Sequence, residues 1–285
     1  MQRGLLLTNI YVSIGAGCLS YACLKLQGYG QFFPYVLMSV LYIQSMHIFN
    51  HLTGNKADRY NDPERANFYL KYKKLLTFLA LAAGGTGLII ASSLGLFPFL
   101  LLFIMSLLGL SYNLRIVPSR FGYFKYKRIK DIPGSKTFLI AMAWGVVTAV
   151  VPPLTFADDA RWTTSLIFLW ATGFVFVRTA FFDILDMQGD RIVGKGTIAI
   201  MLGEKRSMHI LKIILIVLMA ALFLLSSFHA VSYFGFVMIS CPLALLLLLS
   251  AYEQGLLLPS VKLEFLVETN FILAGAIAVL WSVFT

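Results

Sequence analysis

Apolar residues in this chain neither alternate nor mark one helical face; they run on without interruption. Such runs lie at about 5–25, 31–52, 75–94, 95–112, 137–155, 162–184, 208–229, 231–252 and 265–284. Each is near the length an α-helix needs to cross a hydrocarbon layer, so the pattern predicts nine transmembrane helices. The break between the third and fourth rests only on Ser92-Ser93-Leu94-Gly95 and Pro98. Several connections are very short, which favours antiparallel neighbours in one all-α bundle, a single domain over residues 1–285. The first run, Leu5 to Leu24, is long enough to span and lacks a small-residue cleavage site. It therefore reads as a retained helix rather than a signal peptide.

Composition agrees: 59% of residues are hydrophobic and 13% charged, and the mean hydropathy is +0.82. These values exclude an ordinary soluble domain. Cys18, Cys23 and Cys241 all lie inside apolar runs and read as small apolar filler, not a disulfide framework. The net charge of +10 could suggest nucleic acid, but its distribution argues against that partner. Lysine and arginine gather in the loops after the second, fourth and sixth runs, while the opposite loops are nearly bare. By the positive-inside rule those basic loops and the N-terminus are cytoplasmic, as expected of a multi-pass protein of a bacterial or archaeal-type plasma membrane. Part of the charge answers to anionic membrane lipid and part to an anionic substrate.

Chemistry concentrates at two polar stretches. At the end of the sixth run stand Asp183, Asp186 and Asp190. At about 100° per residue they fall within about 60° on one helix face. Unpaired carboxylates on one stripe repel each other and become favourable when they face a divalent cation. Oxygen-only ligands suit Mg²⁺. The end of the second run carries a second stripe: on a continuous helix His47, His51, Gly54, Asp58 and Asp62 share a face, with Asn50 at its edge and Pro63 ending the helix. Both stripes end even-numbered spans, so they are expected to meet at the cytoplasmic mouth of a cavity. Arg178, Glu268 and Asn270 lie inside spans; Arg178 points away from the aspartate stripe and is expected to pair with another helix.

From the second run to Gly203 the chain resembles the UbiA superfamily of intramembrane prenyltransferases. Its second motif, D-x-x-D-x-x-x-D followed by R, G-x-x-T and L-G, is met by Asp183, Asp186, Asp190, Arg191, Gly194, Thr197, Leu202 and Gly203. Of the first motif, Asn50, Asp58, Asn61, Pro63 and Arg65 match, while His51 and Gly54 stand where the family has aspartates. Tyr112 and Lys130 correspond to a recurrent tyrosine and a downstream basic residue. The resemblance implies a Mg²⁺-dependent transfer of a polyprenyl group from a polyprenyl diphosphate to a lipophilic acceptor, in the family often an aromatic ring. It implies metal ligands among Asp58, Asp62, Asp183, Asp186 and Asp190, with Tyr112 as a further catalytic group. Arg65, Lys130 and Arg191 are expected at the diphosphate, with Asn50, His51 and Lys195 as further substrate contacts. His51 reads equally as a diphosphate contact, a base or a structural residue. The eroded first motif keeps open a non-catalytic or altered member that binds prenyl lipids. A transporter would place carboxylates near mid-membrane, and the D-G-x-x-A-R pattern of CDP-alcohol phosphotransferases is absent.

Overall fold

A computed structural model describes residues 2–30, 33–53, 58–111, 132–155 and 162–284. Among them there is no strand, and all nine apolar runs carry helix. In chain order the helices are α1 (Gln2–Leu7), α2 (Ile10–Leu26), α3 (Phe33–Leu52), α4 (Asp58–Asn61), α5 (Pro63–Lys71), α6 (Lys73–Leu94), α7 (Leu96–Ser111), α8 (Ser135–Gly145), α9 (Trp162–Leu185), α10 (Met187–Ile192), α11 (Ile198–Leu202), α12 (Glu204–Ser227), α13 (Phe234–Met238), α14 (Ser240–Glu253) and α15 (Val261–Phe284). Five stretches are long and apolar enough to cross a membrane: α6, α9, α12, α13 with α14, and α15.

Local chemistry sets the breaks. Gly95, at a φ of +141°, separates α6 from α7 where the sequence had only weak signals; a side chain there would be strained. The eighth run is not one helix. It divides at Ile239 because Pro242 lacks an N–H and its ring crowds the carbonyl of Met238, the last residue of α13. The fifth run loosens after Gly145 into a π-helical turn, Val146–Val150. The largest departure concerns the first motif. The second run ends at Leu52 and a separate helix begins at Asp58, so no continuous helix carries His47 through Asp62. Pro63 also starts a helix: it occupies the first turn of α5, and Asp62 caps that helix by accepting from the Arg65 backbone N–H at 3.0 Å.

Neighbouring helices pack in the order α7, α6, α3, α2, α15, α14, α12, α9, α8. The π-helical turn lies inside, against both α2 and α9. Trp144, Phe174 and Phe271 are fully buried, with Phe271 ring centroids 5.5 Å from Trp144 and 4.9 Å from Phe174. Beside them Arg178 of α9 pairs with Glu268 of α15, its Nε donating to Oε1 at 2.9 Å. The guanidinium also lies over the rings of Trp144 and Phe182, at 5.5 and 5.0 Å. The outward faces of α6 and α12 expose Phe78, Leu81, Ile89, Ile216, Val217 and Phe223, surface suited to lipid rather than water.

Candidate functional site

The site is built where α9 ends. Asp183 occupies its last full turn, Asp186 the junction, and Asp190 the short helix α10. Asp183 is buried and accepts a hydrogen bond from Thr137 Oγ1 at the start of α8. Asp190 is fully buried, accepting from Lys195 Nζ at 2.8 Å and from Asn61 Nδ2 at 3.2 Å. The Lys195 backbone N–H closes the same turn on the Asp190 carbonyl at 2.9 Å, so side chain and main chain clamp one loop.

Asn61 belongs to α4, so its bond to Asp190 brings the two acidic stretches together. Gly189 makes the approach possible: a Cβ there would stand 1.8 Å from Asn61 Oδ1. A side chain at this position would push the Asn61 amide away from Asp190. Asp58, also on α4, has its pKa raised by burial; Asp190 raises it further, while Lys136 and Lys195 pull it back. Asp186 is pushed up to about 7, first by burial and then by the charge of Asp190. Burial opposes the charge of Lys195, but the three aspartates outweigh it and hold the ammonium above its usual range. Burial, more than repulsion between the aspartates, is what opposes their ionisation.

Several expected residues are engaged with other partners. Asp62 meets Arg3 at 2.5 Å and Arg65 at 3.4 Å besides capping α5. Arg65 in turn meets Glu264 of α15 at 2.5 Å. These pairs fasten α4 and α5 to α1 and α15. His51 lies against the Tyr69 ring at 5.0 Å, and the Tyr69 hydroxyl accepts from Asn9 Nδ2. Arg191 is exposed. Tyr112, Lys130 and Gly54 lie outside the described residues. Asp62→Ala should cost about 1 kcal/mol through loss of the cap while leaving any Mg²⁺ dependence unchanged. Thermal melts beside a metal titration check this; a weakened metal response would return Asp62 to the site.

A cavity of about 130 Å³ lies between α3, α7 and α8. Asn50, Leu110, Lys136, Tyr42, Met105 and Trp144 are among the residues that line it. His47 lies on its wall and accepts from Trp144 Nε1 at 3.4 Å. A small polar recess next to it is lined by Lys136, Thr137, Asp183, Lys195, Gly196 and Thr197. Lys136 and Thr137 were missed from sequence as site residues. Their one signal was a cation and a hydroxyl in the first turn of an apolar helix.

The sequence profile of the UbiA prenyltransferase family matches residues 10–255. The chain belongs to this family. Solved structures agree on the fold. A UbiA homologue from Aeropyrum pernix K1, in its apo form, aligns at 15% identity with a TM-score of 0.69, covering 93% of this chain and 97% of that one. A UbiA homologue from Archaeoglobus fulgidus bound to GPP and Mg²⁺ aligns at 14% identity with a TM-score of 0.67, covering 98% of each. A digeranylgeranylglyceryl phosphate synthase aligns at 17% identity with a TM-score of 0.57, covering 97% and 93%. No curated protein matches the chain. Family and apolar helices together make it an integral membrane protein.

For this UbiA chain the donor types favour a hard cation: α4, α10 and the end of α9 bring carboxylates and no thiolate. Among the described residues no three His, Cys, Asp or Glu side chains are gathered as a finished metal site. Asp183 is turned to Thr137 and Asp190 to Lys195 and Asn61, so these carboxylates are held by the protein's own donors. Burial, joined by the charge of Asp190, disfavours the ionised forms of Asp58 and Asp186, and a bound divalent cation would favour them.

Proposed function

We propose that this UbiA member transfers a polyprenyl group from a polyprenyl diphosphate to a lipophilic acceptor and requires Mg²⁺ to do so. One observation carries the reading: Lys136 lines both an apolar groove and a small polar recess that holds Asp183 and Lys195. A molecule with a long apolar tail and a highly charged head fits such a pair of compartments. The homologue bound to GPP and Mg²⁺ supports the same assignment.

Asp183, Asp186, Asp190 and Asp58 would hold the metal, which when bound supplies positive charge to a leaving diphosphate. Lys195 would move from Asp190 toward diphosphate oxygens. The groove walls exclude water from the allylic carbon, and the Trp144 and Tyr42 rings offer electron-rich surface to a developing cation. The allylic C–O bond breaks, diphosphate departs with the bonding pair, the acceptor bonds to the allylic carbon, and the acceptor then loses a proton. Asp62 and Arg65 are left with the ion pairs that hold α4 and α5. Nine membrane crossings with the N-terminus and the basic loops on the cytoplasmic side complete the reading.

Purified protein in nanodiscs, given labelled geranyl diphosphate and a total lipid extract, should move label into a new lipid and release pyrophosphate only with Mg²⁺. Donor binding without transfer from any extract would favour the non-catalytic prenyl-lipid binder, a reading that the engagement of Asp190 by Lys195 and Asn61 also suits.

A further inference from the structure

Lys136 is the residue shared by the two compartments. Its half-buried side chain lines both the apolar groove and the recess that holds Asp183 and Lys195. The next residue, Thr137, donates to Asp183 and so ties this turn of α8 to the end of α9. The Lys136 charge also reaches Asp58 on α4 and Asp186 at the junction of α9 and α10. One ammonium therefore stands where the groove meets the carboxylates.

That position has a chemical meaning. A donor whose chain lies in the groove and whose head lies at the aspartates must place its allylic C–O bond at the boundary between them. Negative charge grows on that oxygen as the bond breaks. A cation fixed at that point stabilises the transition state more than the ground state. Lys195 must first give up its bond to Asp190, at 2.8 Å, whereas Lys136 already stands at the boundary.

We propose that Lys136 is a catalytic residue of the prenyl transfer, its Nζ holding the diphosphate at the mouth of the groove and neutralising the departing oxygen. This rests on the donor assignment made above. The competing role is bland: Lys136 could merely offset the aspartates. The two differ in direction. An offsetting lysine, once removed, leaves donor handling unchanged and lets the carboxylates bind Mg²⁺ more tightly. A lysine that touches the leaving group, once removed, lowers kcat and weakens donor binding.

The test uses full-length protein in nanodiscs with geranyl diphosphate. Lys136→Met should lower kcat/KM about 100-fold, with kcat falling more than KM rises, and Lys136→Arg should recover at least about a tenth of the wild-type value. Wild-type kcat/KM in Lys136→Met, or tighter Mg²⁺ binding as its sole effect, overturns the proposal. Should the neutral variant fail to fold, the wild-type protein still decides. Geranyl diphosphate with Mg²⁺ should protect Lys136 from an amine-selective reagent, read by peptide mass spectrometry, and unchanged labelling overturns it. Failure of the donor assignment looks different: the wild-type protein would neither bind nor turn over any prenyl diphosphate, and both readings would fall together.

Discussion

Asp186→Asn should abolish most Mg²⁺-dependent turnover, by about two to three orders of magnitude, while the protein stays folded and becomes no less stable. Asparagine keeps the shape and one oxygen of aspartate but removes its charge. In the folded protein that charge is unwelcome: burial, Asp190 and Asp183 together push Asp186 to about 7 from an ordinary 3.8. A carboxyl group whose folded pKa is raised costs stability once the unfolded form ionises, and the cost grows until pH passes the folded value. With chelator present, the melting temperature of Asp186→Asn should therefore gain on wild type between about pH 4 and pH 7 and level off above. Saturating Mg²⁺ should shrink or reverse the difference, because metal repays the charge only in wild type. A group that weakens the fold and is needed for the reaction marks a functional site. Wild-type turnover in Asp186→Asn at limiting Mg²⁺ would remove Asp186 from the metal set.

Glu268→Gln should be among the most destabilising single changes in the chain, costing about 3–5 kcal/mol. Glu268 and Arg178 are both buried, and their pairing crosses from α15 to α9 through the middle of the bundle. Removing one charge strands the other where water cannot reach it. The rings of Trp144 and Phe182 beside the guanidinium offset only part of that cost. Glu268 Oε2 has no hydrogen-bond partner among the described residues, so the pair is not fully satisfied even when intact. The double variant Arg178→Met with Glu268→Met should accordingly recover most of the lost stability. Unfolding in mixed detergent micelles separates the cases. A double variant as unstable as the single one would show that the pair contributes more than it costs.

The apolar runs were legible because a helix in lipid must satisfy its own backbone, so unbroken hydrophobicity at spanning length has one structural meaning. The second aspartate motif was legible because its spacing fits a helix end, and α9 and α10 carry it nearly as read. The first stretch was misread because one helical period was carried past Leu52, where α3 ends, to Asp62. The signal against that was present: Asp62, Pro63 and Glu64 form an N-cap, a first-turn proline and an early acid, the usual opening of a new helix. That Arg178 would face another helix could be read from its angle to the aspartates, but its partner could not, since α9 and α15 meet across the bundle only once it has assembled. The groove was invisible for the same reason: α3, α7 and α8 are distant in sequence, and Lys136 acquires its place only when they meet.

Equilibrium binding of geranyl diphosphate to the nanodisc-embedded protein, titrated with Mg²⁺, tests the central claim most directly when wild type is set beside Asp183→Asn with Asp190→Asn. Wild type should bind the donor only as Mg²⁺ is added, and the double variant should lose at least about tenfold in metal response while melting as a folded protein. Donor binding that is indifferent to Mg²⁺ in wild type, or the same metal response in both proteins, would contradict a prenyl diphosphate held through metal on these aspartates.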